Sequence, residues 1–326
     1  MLTRRNAIAG ITGGLSMLIV PRGRAEAAYP SRLIKLVVPY PAGGTTDLLG
    51  RLIADRLKSA LSAAVIVENK PGAATLLGAE QVAHAEPDGY TLLMATSTTL
   101  AINRTLYKQL PYDPVADFAA IALVAAVPFV LVINPSLPPR TLAEFIAYAK
   151  QKPGLTYGSA GNGSPQHLGA EMLKSRAGID IRHVPYRGSV PAMLDVIAGH
   201  ISFMVVDLQP ALQQIREGKL KVLGVTTPKR VAAAPDIPTL AESGLPGFEL
   251  VAWQGVVAPH GTPKPVIERL ATEIGKYVGD EAARGQFAAL ALEPLPASTP
   301  ESFAAYIKSE GDRWAGIVKA AGIEPE

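Results

Sequence analysis

The sequence predicts an α/β protein of two lobes, each a mainly parallel sheet with helices packed on it. Three observations predict this. Short apolar runs alternate with amphipathic stretches in two successive series, as in strand-helix-strand units. Each series contains a strand that passes through a glycine-rich turn directly into a helix. Two apolar segments, 119–134 and 248–259, are placed to carry the chain from one lobe to the other and back.

Ahead of the first series stand Arg4 and Arg5, an apolar run over 7–20, and the small-residue site Ala25-Glu26-Ala27. This is the pattern of a cleaved export signal over residues 1–27. The run is interrupted by Gly10, Gly13 and Gly14 and is shorter than the roughly 20 residues of a membrane-spanning helix. With Thr3-Arg4-Arg5, Arg22 and Arg24 it resembles a twin-arginine leader in part, Ala7 and Ala9 standing where such leaders usually carry Phe and Lys. The expected location of the mature chain is the periplasm.

The first series reads strand 34–38, helix 48–57, strand 65–67, helix 76–85 and strand 91–94. In the first of these helices Leu48, Leu49, Leu52, Ile53 and Leu57 recur at steps of three and four, while Arg51, Asp55 and Lys58 take the other side. After Pro138-Pro139 the second series reads helix 142–150, strand 155–157, helix 165–176, strand 181–184, helix 192–198 and strand 201–206. The Pro/Gly-rich stretch 235–247 precedes the second crossing, which returns 260–326 to the first lobe. The expected division is therefore 28–128 plus 250–326 for lobe 1 and 129–249 for lobe 2. Two lobes joined by two crossings permit a hinge with a ligand cleft between them.

Composition excludes several classes of function. The formal charge is +3, but the leader removes four arginines and one glutamate and leaves basic and acidic residues equal in number. With no basic run, nucleic acid is not an expected partner. Without cysteine there is neither disulfide nor thiol chemistry, and the five histidines show no His-Glu-x-x-His spacing for a metal. No cofactor is expected, and the chain is expected to act as a monomer.

The two glycine-rich turns carry the functional signal. In Val38-Pro39-Tyr40-Pro41-Ala42-Gly43-Gly44-Thr45-Thr46-Asp47, unpaired backbone N–H groups and the positive helix end favour an anion, and glycine allows close approach. Thr45 is a natural N-cap. No lysine follows the glycines, so this is not a nucleotide P-loop, and a carboxylate is the better-sized guest. Asp47 lies in the first helical turn, where it either orders the loop or meets a ligand ammonium group. The second turn is Tyr157-Gly158-Ser159-Ala160-Gly161-Asn162-Gly163-Ser164-Pro165-Gln166-His167, with Ser164 suited to the N-cap and Pro165 to the first helical position. A lone loop of this kind can be a plain strand-to-helix turn; one in each lobe suggests a clamp.

Several stretches then match a known family in order. They include Pro39-Tyr40-Pro41-Ala42-Gly43-Gly44 with Asp47, Val67-Glu68-Asn69-Lys70-Pro71-Gly72-Ala73, and Pro87-Asp88-Gly89-Tyr90. Tyr157-Gly158-Ser159-Ala160-Gly161 with His167, His183-Val184-Pro185-Tyr186-Arg187-Gly188, Trp253-Gln254-Gly255 and Pro259-His260-Gly261-Thr262-Pro263 continue it. The chain resembles the Bug or TctC-like receptors of tripartite tricarboxylate transporters, with Ala74 departing where many relatives have a second glycine. The resemblance implies a type II periplasmic-binding-protein fold that captures a small carboxylate and presents it to membrane permease subunits. The ligand would be a mono- or dicarboxylate, an amino acid or an aromatic acid. It implies contacts from the loop 40–46 and the loop 159–167, and from Thr96 and Thr98 after one strand and Asp207 after another. A receptor that informs a signalling partner would use the same capture chemistry.

The remaining side chains each have two readings. Arg187 either pairs with a carboxylate or is solvated. His167 either donates to a ligand or braces its loop, and Asp207 either accepts from a ligand or caps the helix near Pro210. Tyr40 and Tyr186 offer hydroxyls or packing faces, and Trp253 on the return crossing reads as hinge packing ahead of a platform for an aromatic acid. A serine hydrolase built from Ser164, His167 and Asp207 fails on spacing, because Ser164 is followed by Pro165 and Gln166 rather than completing Gly-x-Ser-x-Gly.

Overall fold

The computed structural model describes residues 29–325, so the export signal expected over 1–27 lies outside them. The first unit is β1 (Ile34–Val38), α1 (Thr45–Leu61), β2 (Val65–Asn69), α2 (Leu76–Ala83) and β3 (Thr91–Thr96). A π-helical turn over Thr98–Ile102 runs into the short α3 (Asn103–Leu106), and the long β4 (Phe118–Ile133) follows. Next come α4 (Leu142–Gln151), β5 (Leu155–Ser159), α5 (Pro165–Ala177), β6 (Ile181–Pro185), α6 (Ser189–Ala198), β7 (Phe203–Asp207), α7 (Leu208–Arg216) and β8 (Lys221–Val225). The chain returns through β9 (Val251–Pro259), α8 (Lys264–Gly279), α9 (Glu281–Ala289), β10 (Glu293–Pro294) and α10 (Pro300–Ala320).

All these strands belong to one sheet in the order β2-β1-β3-β9-β4-β7-β5-β6, with β8 and β10 also bonded to β4. β1 is parallel to β2 and β3, and β5 is parallel to β6 and β7, as βαβ units require. The two segments read as crossings are antiparallel partners, Phe118 opposite Pro259 through Pro128 opposite Val251. Beyond Pro128, β4 changes partners and pairs with β7 and β8, so one strand is shared by both wings of the sheet. Its length is almost wholly buried, as its run of valine, leucine and alanine demands.

The chemistry of the ends fixes the helices. Ser164 accepts the His167 N–H at the start of α5 with Pro165 in the first position, as the sequence predicts. At α1 the expected cap is displaced by one residue: Gly44 is the N-cap and Thr45 the first helical residue, which frees the Thr45 hydroxyl for another partner. α6 begins at Ser189, three residues before its expected start, because Pro191 fits a first turn. α10 opens on a reciprocal cap between Thr299 and Ser302.

Behind the shared strands, α10 packs the two tryptophans of the chain against one acid. Trp253 of β9 and Trp314 of α10, both fully buried, each donate their indole N–H to Glu310 Oε2 at 3.0 Å. Arg313 completes the arrangement at 3.1 Å, so the buried carboxylate is both paired and hydrogen-bonded.

Candidate ligand-binding site

The strand-to-helix turns of both wings meet over a cavity of about 190 Å³. On the first wing, the loop between β1 and α1 turns at Gly43, whose φ of +85° is a left-handed conformation that glycine adopts without strain. Asp47 ties this loop down. It accepts the Gly43 N–H at 2.9 Å, two bonds from Arg51 at 3.0 Å and one from Asn69 at 2.9 Å, and Asn69 also donates to the Tyr40 carbonyl at 3.0 Å. Burial raises the Asp47 pKa, but these four donors outweigh it and hold the group below the usual carboxylate range. Asp47 therefore has the loop-ordering role.

With the loop so held, Tyr40, Ala42, Gly44, Thr45 and Thr46 face the cavity. Thr96, Ser97 and Thr98 reach it from the end of β3, and the Tyr40 hydroxyl donates to Thr98 Oγ1 at 3.2 Å. From the second wing come Pro165 and Gln166 at the start of α5, Gly188 and Ser189 at the start of α6, and Asp207 at the end of β7. The positive ends of three helices thus converge. Val127, Phe129, Ala252 and Trp253 make an apolar wall. Among the described residues no lysine, arginine or histidine lines the space.

Asp207 stands where the wings touch. Its carboxylate accepts Thr45 Oγ1 at 2.8 Å, Gln166 Nε2 at 2.6 Å and Ser189 Oγ at 3.3 Å. It occupies the N-cap position of α7 without capping it, since the side chain turns away to these partners. Burial raises its pKa against the opposing effect of the three donors. A second bridge joins α1 to β9, where Gln254 Nε2 donates to Thr46 Oγ1 at 2.8 Å.

Of the residues singled out in the sequence, Tyr40, Ala42, Gly44, Thr45, Thr96, Thr98 and Asp207 line this cavity. The others stand outside it. Gly43 and Asp47 hold the back of their loop. Ser159 is fully buried, with Oγ 2.6 Å from His183 Nε2, and Ser164 is occupied by the α5 cap and by the Gly161 carbonyl at 2.7 Å. Gly161 accepts that bond and donates its own N–H to Ser159 Oγ at 3.1 Å. Asn162, Gly163 and His167 border a different cleft, beside Leu106 and Tyr107.

His167 is the brace of its loop: its Nδ1 accepts the Gly163 N–H at 3.1 Å, which places the ring proton on Nε2. Its ring stacks on His183 with centroids 3.9 Å apart. Tyr186 donates to Asp195 at 2.5 Å, and Arg187 is exposed just ahead of α6.

The sequence reading passed over Gln166, Ser189 and Gln254 and ranked packing above ligand contact for Trp253. Trp253 does pack on Glu310 but also walls the cavity. Gln166 had a signal, being the second residue of a helix whose cap and first position were already assigned. Ser189 had one too, in Gly188-Ser189 ahead of an apolar helix. Gln254 had none, because only strand pairing brings it to α1.

A cavity closed by helix ends from both wings of a shared sheet is the architecture of a solute-binding protein. Residues 49–323 match the family model described as the tripartite tricarboxylate transporter family receptor, and the chain belongs to this family. Its members are periplasmic solute receptors, not enzymes. BugT of Bordetella pertussis is 35% identical over 99% of both chains. Among solved structures, Rpa4515 of R. palustris with adipate has a TM-score of 0.89 at 35% identity, over 91% of this chain and 100% of that one. MatC of Rhodopseudomonas palustris with bound malate has a TM-score of 0.83 at 33% identity, over 89% of this chain and 100% of that one. Among the described residues no helix is long and apolar enough to cross a membrane.

Proposed function

We propose that this receptor captures a small carboxylate in the cavity between its wings and presents it to the permease subunits of a tripartite tricarboxylate transporter. One observation carries the reading: the cavity is ringed by the N-terminal ends of α1, α5 and α6 and, among the described residues, is lined by no cationic side chain. Helix ends and backbone N–H groups bind an anion without a counter-ion. The adipate and malate held by the two similar structures support the same class of ligand. The lobes 28–128 plus 250–326 and 129–249 rock about β4 and β9, and ligand favours the closed state by touching both. The chain works as a monomer after export by its leader.

A thermal-shift panel of mono- and dicarboxylates, amino acids and aromatic acids tests this on protein freed of carried-over ligand. A true ligand at a hundred times its dissociation constant raises stability by about 2.7 kcal/mol. Stabilisation by non-acidic compounds alone would overturn the carboxylate reading.

A further inference from the structure

The strands shared by the two wings have a second face. On β4, Val127 borders the ligand cavity in front and Ala126 borders a separate pocket behind, as alternation along a strand requires. That rear pocket measures about 480 Å³. One wall is α10, with Tyr306 and Arg313, joined by Glu293 of β10. The other is the loop 227–230 after β8, with Glu249 just ahead of β9. The walls therefore belong to opposite wings, while Ala252 and Trp253 border both spaces. Some of the charges here are already engaged. Arg230 donates to Glu242 at 3.1 Å and to the Pro235 carbonyl at 3.2 Å, and Glu310 holds two indoles and Arg313. The Arg313–Glu249 pair faces across the pocket at 4.0 Å, too long for a hydrogen bond. Among the described residues the Lys229 ammonium, the Glu293 carboxylate and the Tyr306 hydroxyl have no partner. Burial, then Glu310, pushes Tyr306 up to about 12, so its hydroxyl stays a donor. A cation and a hydroxyl on opposite walls, a carboxylate beside them and an apolar floor suit a guest that carries both charges on an apolar body.

We propose that the rear pocket is an effector site for a small zwitterion, whose anionic group docks on Lys229 and Tyr306 and whose cationic group docks on Glu293. The body of the molecule lies over Ala126, Ala252 and the Trp253 ring. Its effect on capture rests on the reading that the wings rock about β4 and β9. The wings touch in this structure, Thr45 donating to Asp207 across the front at 2.8 Å. Opening the front about those strands swings the loop 227–230 toward α10 and narrows the pocket behind. A guest that fits the pocket at its present width therefore favours the closed wings, and by linkage tightens the hold on the acid in front.

Titration calorimetry with 3-(1-pyridinio)-1-propanesulfonate tests this, since it is a zwitterion without a carboxylate; propanesulfonate and N-propylpyridinium each carry one of its two charges. The zwitterion should bind saturably and about fivefold more tightly than either partial analogue. Tyr306→Phe and Lys229→Met should each weaken it by about fivefold, as the loss of one hydrogen bond implies. Glu293→Gln should erase its advantage over propanesulfonate. With the zwitterion saturating, the acid that gives the largest thermal shift in the panel above should bind about fivefold more tightly. Absence of saturable binding, equal binding of all three compounds, or binding that neither Tyr306→Phe nor Lys229→Met weakens overturns the proposal. Displacement of the zwitterion by that acid overturns it too, because the two then share the front cavity, and so does an unchanged affinity for the acid. All of these leave the carboxylate reading intact. If no acid shifts the melting temperature, that reading fails instead, and the titrations of the unaltered protein and the three variants still decide the rear site.

Discussion

His167 and His183 lie ring on ring between β5, β6 and α5, with Tyr157 stacked on His183 at a centroid distance of 5.0 Å. Burial, then Lys174, lowers His167 to about 4. Burial, then His167, lowers His183 to about 3 despite the opposing charge of Glu171. Both rings are therefore neutral in the folded protein at neutral pH. The sign of the pH effect follows from linkage: the unfolded chain takes up protons near the ordinary value of 6.5, well before the folded one. Stability should be full above that value and decline as pH falls from about 6.5 toward 4, a fall read as a drop in Tm that His167→Gln makes shallower. That His167 sits on a helix behind a glycine turn was legible in the sequence. Its stacking partner was not, because His183 lies on β6, where the parallel register sets it opposite Tyr157 of β5, and only the packing of α5 on that sheet brings His167 to it.

The contact between α10 and β9 depends on one acid. Glu310→Ala would leave two buried indole N–H groups without their acceptor, while the partly exposed Arg313 keeps Glu249 at 4.0 Å. Each unpaired buried donor costs about 1–3 kcal/mol, so the variant should lose roughly 3 kcal/mol in urea unfolding. Glu310→Gln, whose carbonyl oxygen can stand in the place of Oε2 and accept both indoles while losing the charge that pairs with Arg313, should lose less. Helix identity was readable from periodicity and caps, as Ser164-Pro165 shows at α5. The start of α1 was displaced because Thr45 is also a natural cap residue, and its hydroxyl is needed by Asp207 instead. The π-helical turn after β3 escaped detection: Asn103 and Tyr112 fix its neighbourhood by reaching Thr75 and Thr99, contacts that no local pattern records.

Across the whole molecule, two glycines mark where the wings approach. A Cβ at Gly163 would stand 1.7 Å from Leu106 Cδ1, and one at Gly188 would lie 3.4 Å from Pro41 Cγ. Gly163→Val should hold the wings apart and weaken ligand binding by about tenfold or more, as expected when the binding-competent state is depopulated, with unfolding still cooperative. Gly43→Ala makes the contrast. Nothing lies within 4 Å of its Cβ position, but φ is +85°, so it should cost about 1 kcal/mol of stability and leave affinity nearly unchanged. The two βαβ series were legible because each is local and periodic. The single sheet that joins them was not, since β4 changes partners partway along its length and both sets of partners come from later in the chain.

Trp253 and Trp314 are the only indoles in the sequence, and both point their N–H at Glu310. Trp253 alone also borders the cavity. The molecule therefore contains its own optical gauge: one fluorophore exposed to the arrival of cargo, and a second held as a reference behind it. Emission should change on filling in the unaltered protein and in Trp314→Phe, but not in Trp253→Phe. Stopped-flow traces of that signal would give capture and release rates without any label.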